Sequence, residues 1–261
     1  MAILNVTPDS FYAGSRMPDA GAVERRVREA VVEGAQLIDV GGYSSRPGAD
    51  EVHADEEWRR VELGVGTVRR LAPDMPVSVD TFRSEVAAKA VEAFGPLIIN
   101  DISAGELDSA MLSVAAKYDV PYIAMHMKGD PRTMQSQTDY RRDITTEVVD
   151  YFRMRSEAML AAGIRPENII LDPGFGFAKT TEQNYELLAG LGELCALGYP
   201  VLAGLSRKSM IYKVLGVTPA ESLAGTVALG WECLRQGAKI LRVHDVREAA
   251  DTVRLFNMFR R

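Results

Sequence analysis

Two adjacent cations, Arg207 and Lys208, follow directly on a short apolar run of the chain. The run, residues 201–205, is too short for a buried helix, and its β-friendly composition predicts a strand that is buried on both faces. Ser209 is placed to cap a short helix over 210–215, whose free N–H groups and positive dipole end would face the same corner as Lys208. The segment therefore predicts an anion site. A solvated Arg-Lys pair on a surface loop is the alternative that this stretch alone leaves open.

Polar side chains also stand at the ends of other short apolar runs. Three of them offer acceptors and one amide donor, which suits a flat heterocycle with ring N–H groups and an amino substituent: Asp80, Asn100 and Asp172. Three others offer charge-assisted donors that suit phosphate oxygens: Arg46, Arg242 and His244. Taken singly, each Asp or Asn could equally be a helix cap or a turn former. Together they predict one pocket for a nitrogen-rich ring that carries phosphate.

The elements that must position these residues alternate regularly along the chain. Strands are predicted over 2–5, 36–40, 77–80, 97–100, 122–125, 169–172, 201–205 and 239–243. Helical periodicity fills the intervals over 20–33, 55–71, 84–93, 108–118, 144–162, 181–196 and 219–236, and again over 246–259. Strands separated by single helices are parallel, and eight such units near 250 residues predict one closed (β/α)8 TIM barrel over 1–261. An active site is then expected at the C-terminal ends of the strands.

Composition excludes several classes of function. The chain has 30 basic and 36 acidic residues, a net charge of −6, and no long basic run of the kind that binds nucleic acid. We find no apolar stretch long enough to span a bilayer and no export segment. The two cysteines, Cys195 and Cys233, lie in helical patterns without a CxxC or a neighbouring His, which favours core thiols in a reducing compartment. We expect a cytoplasmic protein without nucleic-acid or membrane partners.

Eight strings, one at each predicted strand exit, resemble the dihydropteroate synthase family. They are Asn-Val-Thr-Pro-Asp-Ser-Phe at 5–11, Ile-Asp-Val-Gly-Gly at 38–42 with Ser-Arg-Pro-Gly-Ala at 45–49, Ser-Val-Asp-Thr at 78–81, Ile-Asn-Asp-Ile at 99–102, Met-His-Met at 125–127, Asp-Pro-Gly-Phe-Gly-Phe at 172–177, Gly-Leu-Ser-Arg-Lys-Ser at 204–209 and Arg-Val-His-Asp at 242–245. Any one of them could arise by accident. Their shared order over nearly the whole chain makes the resemblance specific.

The resemblance implies a transferase of folate biosynthesis, which condenses 6-hydroxymethyl-7,8-dihydropterin pyrophosphate with p-aminobenzoate to give 7,8-dihydropteroate and pyrophosphate. By matched motif, the pterin pocket is expected at Asp80, Asn100, Ile102, Met125, Asp172, Phe177, Gly204 and Lys208. The pyrophosphate is expected at Asn5, Ser45, Arg46, Arg242 and His244. The p-aminobenzoate is expected at Phe11, Pro47, Phe177, Arg207, Lys208 and Ser209. The implied cofactor is Mg²⁺ with Asn5 as its side-chain ligand, since this ion keeps mainly water and phosphate ligands.

The implied chemistry is cleavage at a carbon that can bear positive charge. The cations stabilise the departing pyrophosphate, while ring nitrogens spread the charge on the methylene next to Asp80. We therefore favour an SN1-like displacement, followed by attack of the p-aminobenzoate amine, which needs little help from a base. The expected catalytic set is Asp80, Lys208, Arg242 and His244. His126, between two methionines, is expected to be a satisfied interior residue, and 127–140 a flexible loop without substrate contact.

The sequence departs from the family in two loops. Relatives commonly continue Ser-Asp-Gly-Gly after Phe11, where this chain has Tyr12 and Ala13, and they often carry Glu and Thr where it has Tyr43 and Ser45. Affinity for p-aminobenzoate and for sulfonamides, the expected inhibitors, is therefore open. So are two other functions, a non-catalytic pterin barrel and a methyl-transfer barrel like the methyltetrahydrofolate domains of corrinoid methyltransferases. Apolar residues on the last helices and the family likeness favour a homodimer.

Overall fold

The computed structural model describes residues 1–7, 19–43 and 52–259. These residues form eight parallel strands, β1 (Ala2–Asn5), β2 (Ile38–Gly41), β3 (Val77–Asp80), β4 (Ile98–Asp101), β5 (Tyr122–Met125), β6 (Ile169–Asp172), β7 (Leu202–Ala203) and β8 (Ile240–Leu241). Each lies within one residue of its predicted position at the carboxyl end, except β7 and β8. These two are shorter than predicted, because the neighbouring residues make isolated contacts rather than a continuous ladder.

The strands close into a barrel through two narrow joins. Strands β1 to β6 form one continuous parallel sheet, and β7 pairs with β8 in a second. Single parallel bridges connect the two sheets, from Leu171 to Val201 on one side and from Ala2 to Val243 on the other. The N–H of Val243 also donates to the carbonyl oxygen of Met1 over 3.0 Å. The predicted (β/α)8 architecture is confirmed.

Helices follow the strands as the alternation requires. They are α1 (Ala20–Val32), α2 (Ala54–Leu71), α3 (Ser84–Phe94), α4 (Met111–Tyr118), α5 (Ile144–Ala161), α6 (Thr181–Ala189), α7 (Leu191–Cys195), α8 (Ser209–Leu215), α9 (Leu223–Gln236) and α10 (Val246–Phe259). In the described part of the chain, none is long and apolar enough to cross a membrane.

Three of the predicted helices were wrong in their extent. The helix predicted over 108–118 begins only at Met111. The helix predicted over 181–196 divides at Gly190, where a Cβ would lie 2.6 Å from Thr145 Cγ2, so the close packing requires a glycine at the break. The helix predicted over 219–236 is a 3₁₀ turn, Pro219–Glu221, followed by α9. None of these changes moves a strand end.

Side chains of the strands alternate between the helices and the barrel interior. On β2, Val40 faces α2 so closely that a Cβ at Gly64 would lie 2.5 Å from its Cγ1. The neighbouring Asp39 and Gly41 therefore face the interior, as the two-residue period of a strand requires. Helices packed on one side and polar residues on the other leave the interior at the carboxyl ends available for a site.

A second, smaller apolar cluster lies apart from the main core. We call it the rim cluster, and it contains Ile102, Met125, Met127, Met134 and Ala178, with Phe82 and Phe177 packed against it. Met127 and Met134 are almost fully buried, and the hydroxyl of Tyr140 donates to the carbonyl oxygen of Ala178 over 2.8 Å. The segment 127–140 is therefore packed against the rim cluster at Met127, Met134 and Tyr140, which argues against a loop that is flexible throughout, and its lack of substrate contact stays a prediction.

Candidate functional site

Three predicted ring-binding residues lie at or next to the carboxyl ends of β3, β4 and β6. Asp80 on β3 is the register partner of Asn100 on β4, and Asp172 ends β6 as the register partner of Met125. Asn100 and Asp172 are buried, and Asp80 keeps about a fifth of its side chain exposed, 21%. Since parallel strands end at one edge, the register itself brings these acceptors to one side of the barrel.

Arg242, which directly follows β8, extends into the barrel and contacts the carboxylates of Asp39 and Asp80. Its Nε donates to Asp39 Oδ2 over 2.6 Å and its Nη2 donates to Asp80 Oδ2 over 2.8 Å. Asn100 Nδ2 lies 3.2 Å from the same Asp39 Oδ2. The sequence interpretation assigned Arg242 to phosphate alone. The structure adds that this cation also balances the charge of two interior carboxylates.

The electrostatics of Asp80 follow from this crowding. Desolvation raises the pKa of Asp80 to about 7, although the Arg242 cation opposes the shift, and the carboxylate of Asp39 adds to it. The side chain therefore gains and loses its proton close to neutral pH. A carboxylate poised in this way is typical of functional sites.

Lys208 lies between Asp172 and an aromatic face. Its Nζ donates to the carbonyl oxygen of Phe175 over 2.5 Å and lies 4.6 Å from the centre of the Phe177 ring. Asp172 Oδ1 accepts from the N–H of Gly174 over 2.8 Å, and burial raises the pKa of Asp172 while the Lys208 cation opposes this. Burial lowers the pKa of Lys208 to about 8. Burial thus shifts the two pKa values toward each other, that of Asp172 upward and that of Lys208 downward.

The capping prediction for Ser209 was wrong. The N-cap of α8 is Lys208, and no side chain caps the helix by a hydrogen bond. Ser209 is instead the first helical residue, because the backbone of Lys208 already has the extended geometry of a cap, with φ −80° and ψ 163°. The site keeps the Lys208 cation at this position, and Ser209 stays beside it.

Gly204 gives the pocket an open stretch of backbone. A Cβ at Gly204 would lie 3.8 Å from Arg242 Cβ and 3.9 Å from Asp172 Oδ2, which are ordinary contact distances. The fold therefore tolerates a larger residue here. The glycine leaves room between Arg242 and Asp172, next to the apolar wall formed by Ile102, Met125 and Phe177 of the rim cluster.

His244 is oriented by a neighbouring serine. Ser206 Oγ lies 3.1 Å from His244 Nδ1 and accepts from the backbone N–H of His244 over 3.2 Å. In the tautomer in which the Ser206 hydroxyl donates to Nδ1, the proton of the imidazole is on Nε2. The ring then presents a donor on its far side.

The guanidinium of Arg207 is committed to the protein itself. Its Nε and Nη2 donate to the two carboxylate oxygens of Asp245 over 2.8 and 2.7 Å, and its Nη1 donates to the carbonyl oxygens of Pro219 and Ala220. Its backbone is left-handed, with φ 56°. This geometry favours a role in fixing the loop before α8 over the predicted contact to p-aminobenzoate.

His126 is a satisfied interior residue, as predicted. Its Nδ1 lies 2.9 Å from Lys179 Nζ, and its ring meets the Tyr151 ring edge-on with centroids 4.8 Å apart. Lys179 also donates to the carbonyl oxygens of Gly174 and Phe177 over 3.0 and 2.9 Å. A buried lysine therefore fixes the loop that carries Phe177.

Four predicted site residues lie outside the described residues: Phe11, Ser45, Arg46 and Pro47. Of the four residues that depart from the family pattern, Tyr12, Ala13, Tyr43 and Ser45, only Tyr43 is among the described residues. Its ring meets the Phe82 ring edge-on with centroids 5.2 Å apart, and the Arg83 guanidinium lies over it at 5.4 Å. Tyr43 therefore continues the apolar rim cluster outward at the exit of β2.

Asn5, the predicted metal ligand, lies at the exit of β1 beside the glycine that ends β2. A Cβ at Gly41 would lie 3.4 Å from Asn5 Oδ1 and 3.8 Å from Asp80 Oδ2, so the glycine leaves space between two oxygen donors. No group of three or more His, Cys, Asp or Glu side chains suited to a metal occurs within the described residues. A site with few protein oxygens fits Mg²⁺, which keeps water and phosphate ligands.

Sequence reasoning missed two charged residues that organise the site, Asp39 and Lys179. Asp39 had a signal, because an acidic residue between Ile38 and Val40 in a buried strand needs a partner. Lys179 follows the Phe-containing loop as a single lysine, and nothing in the local pattern distinguishes it from a surface lysine.

Comparisons with known proteins bear directly on this arrangement. The family model described as "Pterin binding enzyme" matches residues 1–244. A curated relative from Synechocystis named dihydropteroate synthase is 44% identical over 251 residues, which cover 96% of this chain and 86% of the relative. The chain belongs to the dihydropteroate synthase family.

Solved structures of dihydropteroate synthases agree with the fold. The structure from Clostridium difficile, with pteroic acid, is 40% identical to this chain, with a TM-score of 0.90. The alignment covers 99% of this chain and 95% of the other protein. The structure from Yersinia pestis, with a sulfonamide drug, is 39% identical, with a TM-score of 0.91. The alignment covers 99% of this chain and 92% of that protein. The structure from Xanthomonas albilineans, with 4-aminobenzoic acid, is 40% identical, with a TM-score of 0.88. The alignment again covers 99% of this chain and 92% of the other protein.

Proposed function

We propose that the protein is a dihydropteroate synthase, a transferase that joins 6-hydroxymethyl-7,8-dihydropterin pyrophosphate to p-aminobenzoate and releases pyrophosphate. The observation that carries the proposal is the gathering of Asp80, Asn100, Asp172 and Lys208 at the carboxyl edge of one barrel, beside Arg242 and His244. The family membership, and the pteroic acid and 4-aminobenzoic acid in related structures, support the same reaction.

The pterin half of the substrate matches the acceptor set. Ring N–H groups and the amino substituent would donate to Asp172 and Asn100, and Lys208 would donate to a ring acceptor. The ring would lie against Ile102, Met125 and Phe177, over the open backbone of Gly204. Apolar walls with a few convergent polar groups are the usual form of a small-molecule site.

The pyrophosphate half matches the donors at the exits of β1 and β8. Arg242 would bind oxygens through its guanidinium, and His244, whose Nδ1 lies beside Ser206 Oγ, would add an imidazole N–H donor. We also assign Ser45 and Arg46 to this half. Asn5 would hold Mg²⁺, which when bound neutralises charge on the leaving pyrophosphate.

The proposed displacement is SN1-like. The carbon–oxygen bond of the methylene breaks, its electron pair leaves with the pyrophosphate, and the pterin nitrogens spread the positive charge that remains. Asp80 as a carboxylate would oppose that charge from nearby. The p-aminobenzoate amine then attacks and loses one proton. Its ring is assigned to Phe11, Pro47, Phe177 and the stem of Lys208, and its carboxylate to Ser209, with Arg207 fixing the loop between them.

The test is turnover of the purified chain with both substrates and MgCl₂, followed by separate assays of pyrophosphate release and of dihydropteroate. We expect the two products in equal amounts, loss of both with excess EDTA and recovery with added Mg²⁺. Pterin binding measured by calorimetry without any product, under all metal conditions, would instead support a binding or methyl-transfer barrel.

Three further properties belong to this proposal. We expect sulfonamides to compete with p-aminobenzoate, with an affinity set partly by the changed residues Tyr12, Ala13, Tyr43 and Ser45. We propose a homodimer through α10, since Leu255, Met258 and Phe259 expose apolar side chains on this helix. Sedimentation would test it. The two free thiols suit the reducing cytoplasm that we assign to the enzyme.

A further inference from the structure

Asp39 is a carboxylate inside the barrel that no substrate role accounts for. It lies on β2 with 0% of its surface exposed, one layer below the strand exits. A ligand at the exits cannot reach it. An isolated buried carboxylate is costly, so its partners decide what it does.

Its partners belong to both halves of the proposed substrate site. Oδ2 of Asp39 accepts from Arg242 Nε over 2.6 Å, and Asn100 Nδ2 lies 3.3 Å from Oδ1 and 3.2 Å from Oδ2. Arg242 is assigned to the pyrophosphate and Asn100 to the pterin ring. One side chain therefore ties together two residues that meet the same substrate at different ends.

The hydrogen bond from Arg242 to Asp39 also determines which N–H groups of the guanidinium can meet a ligand. Nε and Nη2 of Arg242 point at Asp39 and Asp80. Within the residues that the structure describes, no group accepts a hydrogen bond from Nη1. If a ligand draws Asp80 away, Arg242 Nε stays bonded to Asp39 and the plane of the guanidinium is kept. Nη1 and the released Nη2 can then donate to an anion.

We infer that Asp39 is a positioning residue, which sets Arg242 and Asn100 at the separation that the dihydropterin pyrophosphate requires. The inference rests on the proposed function. It predicts that Asp39 contributes to the binding and departure of this substrate and not to the binding of p-aminobenzoate, because the contacts of Asp39 lead only to the pterin and pyrophosphate residues.

Asp39→Asn is the informative variant, because it keeps the size of the side chain but replaces one acceptor oxygen with a donor. The new NH₂ group must then face either Arg242 or Asn100, both of which donate. Ser78→Ala is the matched control. Ser78 is the register partner of Asp39 on β3, is equally buried, and its hydroxyl oxygen has no partner among the described residues.

The wild-type chain is assayed first, so that failure of the proposed function appears as absence of product there. In an active enzyme we expect Asp39→Asn to raise the KM for dihydropterin pyrophosphate about tenfold or more and to change that for p-aminobenzoate by less than about twofold. Ser78→Ala should leave both KM values unchanged. Wild-type kinetics in Asp39→Asn, or an equal rise in both KM values, would overturn the inference.

A double-mutant cycle separates positioning from loss of stability. Arg242→Lys has no Nε group to meet Asp39, so in that background Asp39→Asn should cost less than a third of its effect in the wild-type, as expected for two residues that act as a unit. An undiminished cost would mean that Asp39 acts independently of Arg242, and the inference would fail.

Discussion

Lys179 Nζ lies 2.9 Å from His126 Nδ1, and both side chains are buried behind the loop that carries Phe177. The same ammonium donates to the carbonyl oxygens of Gly174 and Phe177. With these three acceptors, the Lys179 ammonium fixes the loop by hydrogen bonds. The pKa of Lys179 is lowered to about 7 by burial, with Asp172 opposing the shift.

Lys179→Met should lower the free energy of unfolding by about 1–3 kcal/mol, since three buried acceptors lose their donor. Lys213→Met is the control, because that lysine is exposed on α8 and should change stability by less than about 0.5 kcal/mol. Urea unfolding followed by circular dichroism measures both. Equal effects would contradict a fastening role.

The same lysine predicts a dependence of stability on pH. Its pKa in the folded protein is below the value in the unfolded chain, so between pH 7 and about 10 the unfolded state binds more protons and stability rises with pH from this group. Lys179→Met should lack that rise. Unfolding curves at pH 6.5 and pH 9 compare the two proteins, and parallel changes in both would refute the assignment.

Gly204→Ala should reduce pterin affinity without harming the fold. A Cβ at Gly204 meets only ordinary contacts, but it occupies the space assigned to the ring. We expect about a tenfold or greater rise in the dissociation constant of 6-hydroxymethylpterin and an unchanged Tm. Calorimetry and thermal unfolding measure the two quantities. Unchanged affinity would remove Gly204 from the pocket.

Gly174→Ala should do the reverse and disrupt the structure. Its φ is 67° and a Cβ would lie 2.1 Å from the carbonyl oxygen of His126. Gly198→Ala is the matched control, because its φ is 88° but a Cβ there meets nothing within 4 Å. The control should cost about 1 kcal/mol from backbone strain alone, and Gly174→Ala clearly more. Similar losses would show that the clash is relieved locally.

Turnover should depend on pH through Asp80 and Lys208. The pKa of Asp80 is raised to about 7, so kcat/KM should fall as the pH drops below 7 and the carboxylate is protonated. The pKa of Lys208 is lowered to about 8, so kcat/KM should also fall above 8 as the cation is lost. Asp80→Asn should abolish the acidic limb. In Lys208→Arg the basic limb should move beyond pH 9, and an unmoved limb would assign it to another group.

The sequence predicted the carboxyl ends of β1 to β6 to within one residue, and with them the positions of Asn5, Asp80 and Asp172 in the fold. The strands β3 and β6 end at a polar residue, Asp80 and Asp172, and β5 ends just before His126, so each exit has a local signal. The helix boundaries were predicted less well, and the close packing of Gly190 at the break against Thr145, which is distant in sequence, could not be read from the local pattern. Contacts of this kind have no local signature.

The missed parts of the site have the same origin. That Arg242 meets Asp39 and Asp80 depends on strand order around the barrel, over sequence separations of 203 and 162 residues. The sequence could place Arg242 at a strand exit but could not show what it faces. The prediction for Ser209 failed by one position because the cap geometry is set by the backbone of Lys208 and not by a hydroxyl group.

The two narrow joins of the barrel divide the charges of the site between separate pieces of framework. Lys208 and Arg242 follow β7 and β8, whereas the carboxylates of Asp80 and Asp172 end strands of the six-stranded sheet. A small slip at either join would alter the gap between opposite charges and leave both pieces intact. Evolution could thus retune the reach between cation and carboxylate by exchanging methyl groups at Val201 and Val243, far more gently than by replacing any charged residue.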